Sequence, residues 1–374
     1  MTLVRFVAVA VVAVAFAAGG AAAWRLTRPP SFHEPASVAA FARTLDAVVP
    51  EALRRHSAPG AAVAVMRDGR MAWARGYGVA DAERRTPVTA STRFQVASVS
   101  KPVAAMGALR LVEERRLALD RPLTVWRFPS SDHDPRGVTL RRLLSHTAGV
   151  SVAGYPGTAP GRPLPTTAAS LAGEAPGVRA VRLVSEPGRG YSYSGGGYTV
   201  AQLAIEHATR EPFAAWMRRA VLRPLGMHSS SFEPATAVHA AAARGHDSTG
   251  RPMPDLRYAE QAAAGLYATA ADVARFAAAL VPGPQGEPLG RGVVSPGAVR
   301  AMSTPAPATK GRYGLGLRLE TLAGGVRMVS HDGANHGWRA LAAIFPDRGW
   351  GIAVLTNGDT GEAVIDAVMD QLVG

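Results

Sequence analysis

The sequence predicts an α/β (α+β) fold, with an antiparallel sheet flanked by helices and a mostly helical section inserted between two strand-rich ends. Three observations carry this. An amphipathic run and a hairpin open the folded part, a cluster of short strands and a helix close it, and the stretch between them reads as helix and irregular chain. With 374 residues, 47% of them hydrophobic, the chain can bury a large core.

Pro35 to His56 places Val38, Phe41, Leu45, Val48 and Leu53 near one stripe, which predicts a helix. Ala61–Met66 and Met71–Tyr77 read as strands joined by Arg67-Asp68-Gly69-Arg70, and Asp-Gly is a strong hairpin signal. A helix is predicted from Ser98 to about Arg116, with Pro102 in its first turn, where a missing N–H is tolerated. Thr139 caps a short helix to Ser145. Residues 150–188, rich in Pro, Gly and Ala, read as a long irregular excursion. Gly197–His207 and Pro212–Leu222 read as helices, as does the stretch from Thr269 to about Leu280, whose start resembles a capping box with Asp272 in place of Glu. Strands are predicted at Gly314–Glu320, Val326–Ser330, Arg339–Phe345 and Gly351–Thr356, followed by a helix over Glu362–Leu372.

The chain contains no cysteine, which excludes disulfides, thiolate catalysis and cysteine-ligated metal. The formal charge of +13 is spread over scattered arginine pairs without interleaved aromatics, so nucleic acid is not an expected partner. Phe6 to Trp24 is uncharged and follows Arg5. It reads as a secretory signal or a membrane anchor, so export to the periplasm or cell envelope is expected, with anchoring through residues 6–24 as one form of it. Residues 1–32 are therefore set apart from a domain over 33–374, in which 33–97 and 240–374 form the α/β part and 98–239 the helical part.

Ser98 and Lys101 stand three residues apart, so on a helix they share one face and the amine can reach the hydroxyl. Serine needs such a neighbour to take its proton, and lysine can do so only where burial or a nearby cation keeps it neutral. Of 41 basic residues only Lys101 and Lys310 are lysines. Arginine cannot accept a proton in a protein, so a lysine kept in this position points to chemistry. The alternative is a surface helix lysine beside a capping serine. Downstream, Pro187-Gly188-Arg189-Gly190 leads into Tyr191-Ser192-Tyr193-Ser194-Gly195, and His331-Asp332-Gly333-Ala334 follows a predicted strand.

In order and placement these motifs resemble the serine β-lactamase and penicillin-binding-protein superfamily, within it the branch of class C β-lactamases, D-amino-acid peptidases and esterases of β-lactamase fold. The resemblance runs from about residue 37 to the C-terminus. It implies the β-lactamase/transpeptidase-like fold, with the active site in the cleft between the two parts. Ser98-Val99-Ser100-Lys101 matches the Ser-x-x-Lys signature, which makes Ser98 the nucleophile and Lys101 the proton acceptor or relay. Tyr193-Ser194-Gly195 matches Tyr-x-Asn with Gly in place of Asn. Tyr193 would then shuttle protons with a pKa lowered by the lysine, and Tyr191 is the alternative tyrosine.

His331-Asp332-Gly333 stands where Lys-Thr-Gly or His-x-Gly is found on an edge strand. The implied oxyanion hole is the N–H groups of Ser98 and Ala334, with Gly333 allowing close approach of substrate. Gly195 and Asp332 fall at substrate-contacting positions, and histidine in place of lysine at 331 implies weaker recognition of a substrate carboxylate. Leu143–Gly149 and Ala264–Thr269 are expected to be structural or to line the pocket. His146 reads as a hydrogen-bonded structural residue and His336 as a loop residue. The resemblance implies a cofactor-free, metal-free serine hydrolase acting through an acyl-enzyme. Its substrate would be a small ester, amide or peptide, as for an esterase or D-amino-acid amidase, and a monomer is expected. The alternatives are a class C-like β-lactamase or cell-wall D,D-peptidase and, from another class, a silent peptidoglycan-ligand binding protein.

Overall fold

The computed structural model describes residues 30–129, 131–234 and 242–374. The expected signal or anchor over residues 6–24 lies outside the described residues, among which no helix is long and apolar enough to cross a membrane. Residues 30–32, set apart from the domain by sequence, belong to it. Ser31 and Phe32 form bridges to Ala323 and Val373, and the Phe32 ring packs 4.4 Å from that of Phe345.

The elements in chain order are α1 (Val38–Arg55), β1 (Gly60–Arg67), β2 (Arg70–Asp81), β3 (Thr86–Pro87), β4 (Phe94–Gln95), α2 (Ser100–Glu113), α3 (Leu140–Leu144), α4 (Thr167–Ala172), α5 (Gly195–Thr209), α6 (Phe213–Met217), α7 (Gln261–Ala264), β5 (Tyr267–Ala268), α8 (Ala270–Ala278), α9 (Pro296–Met302), β6 (Arg318–Thr321), β7 (Arg327–Asn335), β8 (Trp338–Phe345), β9 (Trp350–Thr356) and α10 (Gly361–Met369). Seven strands form one antiparallel sheet in the order β3-β2-β1-β9-β8-β7-β6, while β4 and β5 pair separately. Asp68 and Gly69 both take positive φ, 47° and 70°, as a tight hairpin turn between β1 and β2 demands.

Side chains alternate across the sheet and build a core on each face. On one face Ala61, Val63 and Val65 of β1 and Ile352 and Val354 of β9 pack with Phe41, Leu45 and Val49 of α1 and Val364 and Val368 of α10. On the other face Ala62, Ala64 and Met66 join Val273 and Phe276 of α8 in a cluster that runs on without a break into Val103, Met106, Tyr198, Trp216 and Met217. The helical section therefore shares one core with the sheet.

Three local expectations are corrected. Ser98 lies outside the α-helix, in a 3₁₀ turn over Ala97–Val99 that feeds α2. The strand expected at Gly314 begins only at Arg318, because Gly314 N–H turns back to the Leu317 carbonyl and Gly316 takes φ +89°. At α8, Thr269 Oγ1 accepts from Asp272 N–H, but the return arm of the box is missing: the Asp272 carboxylate accepts instead from Ser229 N–H and Ser230 Oγ.

Candidate active site

The Ala97–Val99 turn presents Ser98. Ala97 has φ +48°, a left-handed conformation that favours glycine, so something must hold it. Buried Ser100 does so: its hydroxyl donates to the Ala97 carbonyl at 2.6 Å and accepts from Leu266 N–H at 2.9 Å. Ser98 is left partly exposed, while Lys101, one turn on, is 1% exposed.

Lys101 Nζ lies 2.9 Å from Ser98 Oγ and donates to the Ala263 carbonyl at 2.7 Å. Burial pushes its pKa down to about 7, against the opposing pull of the Asp332 carboxylate. The neutral amine, the state a base requires, is thus accessible near neutral pH. Around it stand Tyr193 and Tyr198, whose ring centroids lie 4.9 and 5.7 Å from Nζ.

The Tyr193 hydroxyl is hydrogen-bonded to Ser98. Its loop is tied to His146, whose carbonyl accepts from Ser192 N–H at 2.8 Å and whose Nδ1 accepts from Ser194 N–H at 3.1 Å. That second bond puts the imidazole proton on Nε2, facing Tyr313 Oη at 3.2 Å. The His146 ring lies against Tyr193 with centroids 4.3 Å apart, and burial keeps it neutral.

The expected lowering of the Tyr193 pKa is corrected: burial raises it, and the hydrogen bond to Ser98 opposes this only in part. A lysine near pKa 7 is not the standing cation that a tyrosinate would need, so Tyr193 stays a phenol. Tyr191 is 42% exposed, and it is Tyr193 that bonds Ser98.

The second wall is β7. β6 pairs with it only as far as Ser330, leaving His331–Asn335 with an open edge against the Ser98 turn. A Cβ on Gly333 would overlap the Val96 carbonyl oxygen and lie 3.0 Å from Ser98 N, so only glycine lets the strand come this close. Ala334, next along, is exposed. His331 is fully buried, its Nδ1 2.6 Å from the Asp332 carbonyl and its Nε2 without a partner. Burial lowers its pKa and keeps it uncharged at neutral pH. Asp332 is paired with Arg318 at 2.9 Å, both side chains about half exposed.

Of the residues singled out by sequence, the structure thus brings Ser98, Lys101, Tyr193, His331 and Gly333 around one point, with Asp332 and Ala334 on the strand beside it. Gly195 is different. It is buried in the first turn of α5, where a Cβ would meet the Ala153 carbonyl oxygen at 2.9 Å, so a side chain there would have to displace residues 153–155. His336 is exposed in the β7–β8 turn. Sequence reasoning missed the Ala263 carbonyl, the Ser100 anchor, Arg318, and the part played by Tyr198 and Tyr313. Carbonyls and packing tyrosines carry no motif, whereas Ser100 sits inside the Ser98–Lys101 stretch, where a hydroxyl beside the turn is a visible signal.

A serine, a buried low-pKa lysine and a phenol at the edge of an antiparallel sheet define an acyl-transfer type of centre. A family model described as Beta-lactamase matches residues 45–373, and the chain belongs to that family. Esterase EstB of Burkholderia gladioli is 35% identical over 207 residues, 52% of each chain. Unguisins hydrolase ungD' of Aspergillus campestris is 29% identical over 342 residues, 84% of this chain and 60% of that one. The chain therefore spans roughly half to three-fifths of the length of these curated relatives. Among solved structures, SurE superposes with a TM-score of 0.72 at 27% identity, covering 89% of this chain and 75% of the other. The octameric penicillin-binding protein homologue from Pyrococcus abyssi gives 0.71 at 25%, covering 85% and 74%.

Proposed function

We propose that this chain is a serine hydrolase that cleaves small uncharged esters or amides through an acyl-enzyme. The observation that carries the reading is the 2.9 Å contact between Ser98 Oγ and a Lys101 amine whose pKa has been pushed down to about 7. Neutral Lys101 keeps one N–H on the Ala263 carbonyl and turns its lone pair to the Ser98 hydroxyl. Ser98 Oγ attacks the substrate carbonyl carbon and its proton passes to Lys101. The oxyanion is met by the N–H groups of Ser98 and Ala334, each donor of this kind being worth about 3 kcal/mol of barrier. Tyr193, bonded to Ser98 and protonated, hands its proton to the leaving group and recovers one from Lys101. Water then attacks the ester formed on Ser98, and the same groups run in reverse.

An uncharged substrate is favoured by the charge at the mouth. His331 is neutral and Arg318 is engaged by Asp332, so a substrate carboxylate must break an ion pair to be recognised. EstB is named an esterase, which agrees with this preference.

The test is intact-protein mass spectrometry after a fluorophosphonate and after penicillin, with the adduct mapped by peptide analysis. An adduct on Ser98 from the fluorophosphonate is expected. No adduct from either probe would leave a silent ligand-binding protein as the better reading. Turnover of a short p-nitrophenyl ester should exceed that of nitrocefin, and the opposite order would make the protein a β-lactamase.

A further inference from the structure

Away from Ser98, a cleft of about 460 Å³ is lined by Arg136, Arg141 and Arg142 together with Thr139, Ser145 and Thr147. Its volume falls within the range of small-ligand sites, roughly 300–1,000 Å³. Three guanidinium groups face one lining carboxylate, Asp120, which Arg141 grips through two bonds of 2.6 and 2.8 Å. Arg136 is held from outside the cleft by Asp134, and nearby Glu186 lies 3.6 Å from His133. Arg142 is different: its Nη1 donates to the Gly137 carbonyl at 2.7 Å, and although its charge acts on Asp120, among the described residues it makes no direct ion pair with a carboxylate. Its guanidinium packs against Gly188, where a Cβ would lie 2.7 Å from Nη2 and 2.9 Å from Cζ, so only glycine lets the fork sit there.

We propose that this cleft is a binding site for a small organic anion, a phosphate monoester or a carboxylate, with the Arg142 fork as its principal contact. A half-buried guanidinium with unused donors is a ready partner for such an oxyanion, since charge-assisted bonds from arginine are short and often bidentate. The Ser145 and Thr147 hydroxyls bond one another at 2.9 Å, and Ser145 Oγ donates to the Arg141 carbonyl. They shape the floor, and the positive charge comes from the arginines. The site touches the hydrolytic centre through its floor: Ser145 and Thr147 flank His146, which lies against Tyr193. Gly188 N–H donates to the Thr147 carbonyl at 2.7 Å at the start of the segment that carries Tyr193. An anion gripping Arg142 beside Gly188 would brace both segments.

The experiment is calorimetric titration of the full chain with inorganic phosphate and with succinate at constant ionic strength, which separates the two anion sources. Saturable one-site binding of at least one probe is expected, weakened tenfold or more by Arg142→Gln. Arg219→Gln, a remote arginine paired with Glu211, should leave it unchanged. Should Arg142→Gln fail to fold, Arg136→Gln serves, because that side chain is 85% exposed, and a loss of at least threefold is expected. Absence of saturable binding by both probes overturns the proposal. So does binding that survives both cleft substitutions, or that falls equally with Arg219→Gln.

Discussion

Replacing Lys101 by methionine removes a buried titratable amine while roughly keeping its length. Lys101 has a pKa of about 7 in the folded chain against an ordinary value of 10.5, a gap of about 3.5 pH units. At 1.36 kcal/mol per unit, a protonated Lys101 costs the fold roughly 5 kcal/mol below pH 7. Between about pH 7 and 10.5 the unfolded chain binds the proton and the folded chain does not, so stability rises with pH across that window and the cost fades. From pH 6 to pH 9 the wild type therefore gains about 3 kcal/mol that the methionine variant cannot gain. The variant also loses the bonds to Ser98 and Ala263, a penalty of a few kcal/mol, but that term is the same at both pH values and cancels. Urea unfolding of both proteins at pH 6 and pH 9 reads the difference directly. A wild-type-minus-variant stability that changes by less than about 1 kcal/mol between the two would refute a depressed Lys101 pKa, and the proposed base would fall with it.

Three further substitutions and one pH profile probe the same site. Acylation by an ester should rise with pH through about 7 as Lys101 loses its proton, so kcat/KM should show an ascending limb there; a flat profile from pH 6 to 8 counts against the base. Lys101→Arg keeps the charge and removes the base, and kcat/KM should fall about 10²- to 10⁴-fold. Tyr193→Phe should lower kcat by a similar factor with KM little changed, and single-turnover kinetics would reveal retained chemistry if the phenol is a bystander. Ser100→Ala strands the Ala97 carbonyl and Leu266 N–H in the core, and chemical denaturation should register a loss of about 1–3 kcal/mol.

Much of this arrangement was legible in the sequence where local chemistry decides the backbone. Asp68-Gly69 announced its hairpin because both residues tolerate positive φ. Thr139 and Thr269 announced helix starts through hydroxyls that accept from the N–H three residues on. Failures came where tertiary contact overrides propensity. The stretch His331–Asn335 has poor strand formers, yet it continues β7 because its pairing with Leu341, Ala342 and their neighbours decides the matter. The helix predicted from Gly197 starts two residues earlier, because Gly195 and Gly196 join the first turn of α5, capped by Ser194 and wedged under residues 151–155. The protonation state of Tyr193 was misjudged for a related reason: a charge partner can be guessed from sequence, whereas burial can only be seen in the fold.

Burial is also what makes the Ser98–Lys101 pair more than a spacing. Three residues of separation bring an amine to a hydroxyl in countless surface helices, where the amine stays charged and takes no proton. Here four of the eight tyrosines, Tyr191, Tyr193, Tyr198 and Tyr313, gather with His146 and His331 around the amine. Their rings exclude water while adding no fixed positive charge, since burial keeps both imidazoles neutral and the phenols protonated. Arginine at 101 would remain charged in that setting, and the fold would bear the penalty at every pH without gaining a base. In a chain that uses arginine for 39 of its 41 basic residues, a lysine at 101 is what this enclosure requires. Lys310, the other lysine, is exposed and has no such enclosure, so Lys310→Arg should leave ester turnover unchanged. A loss of turnover in that variant would detach the chemistry from burial and reopen the reading of Lys101.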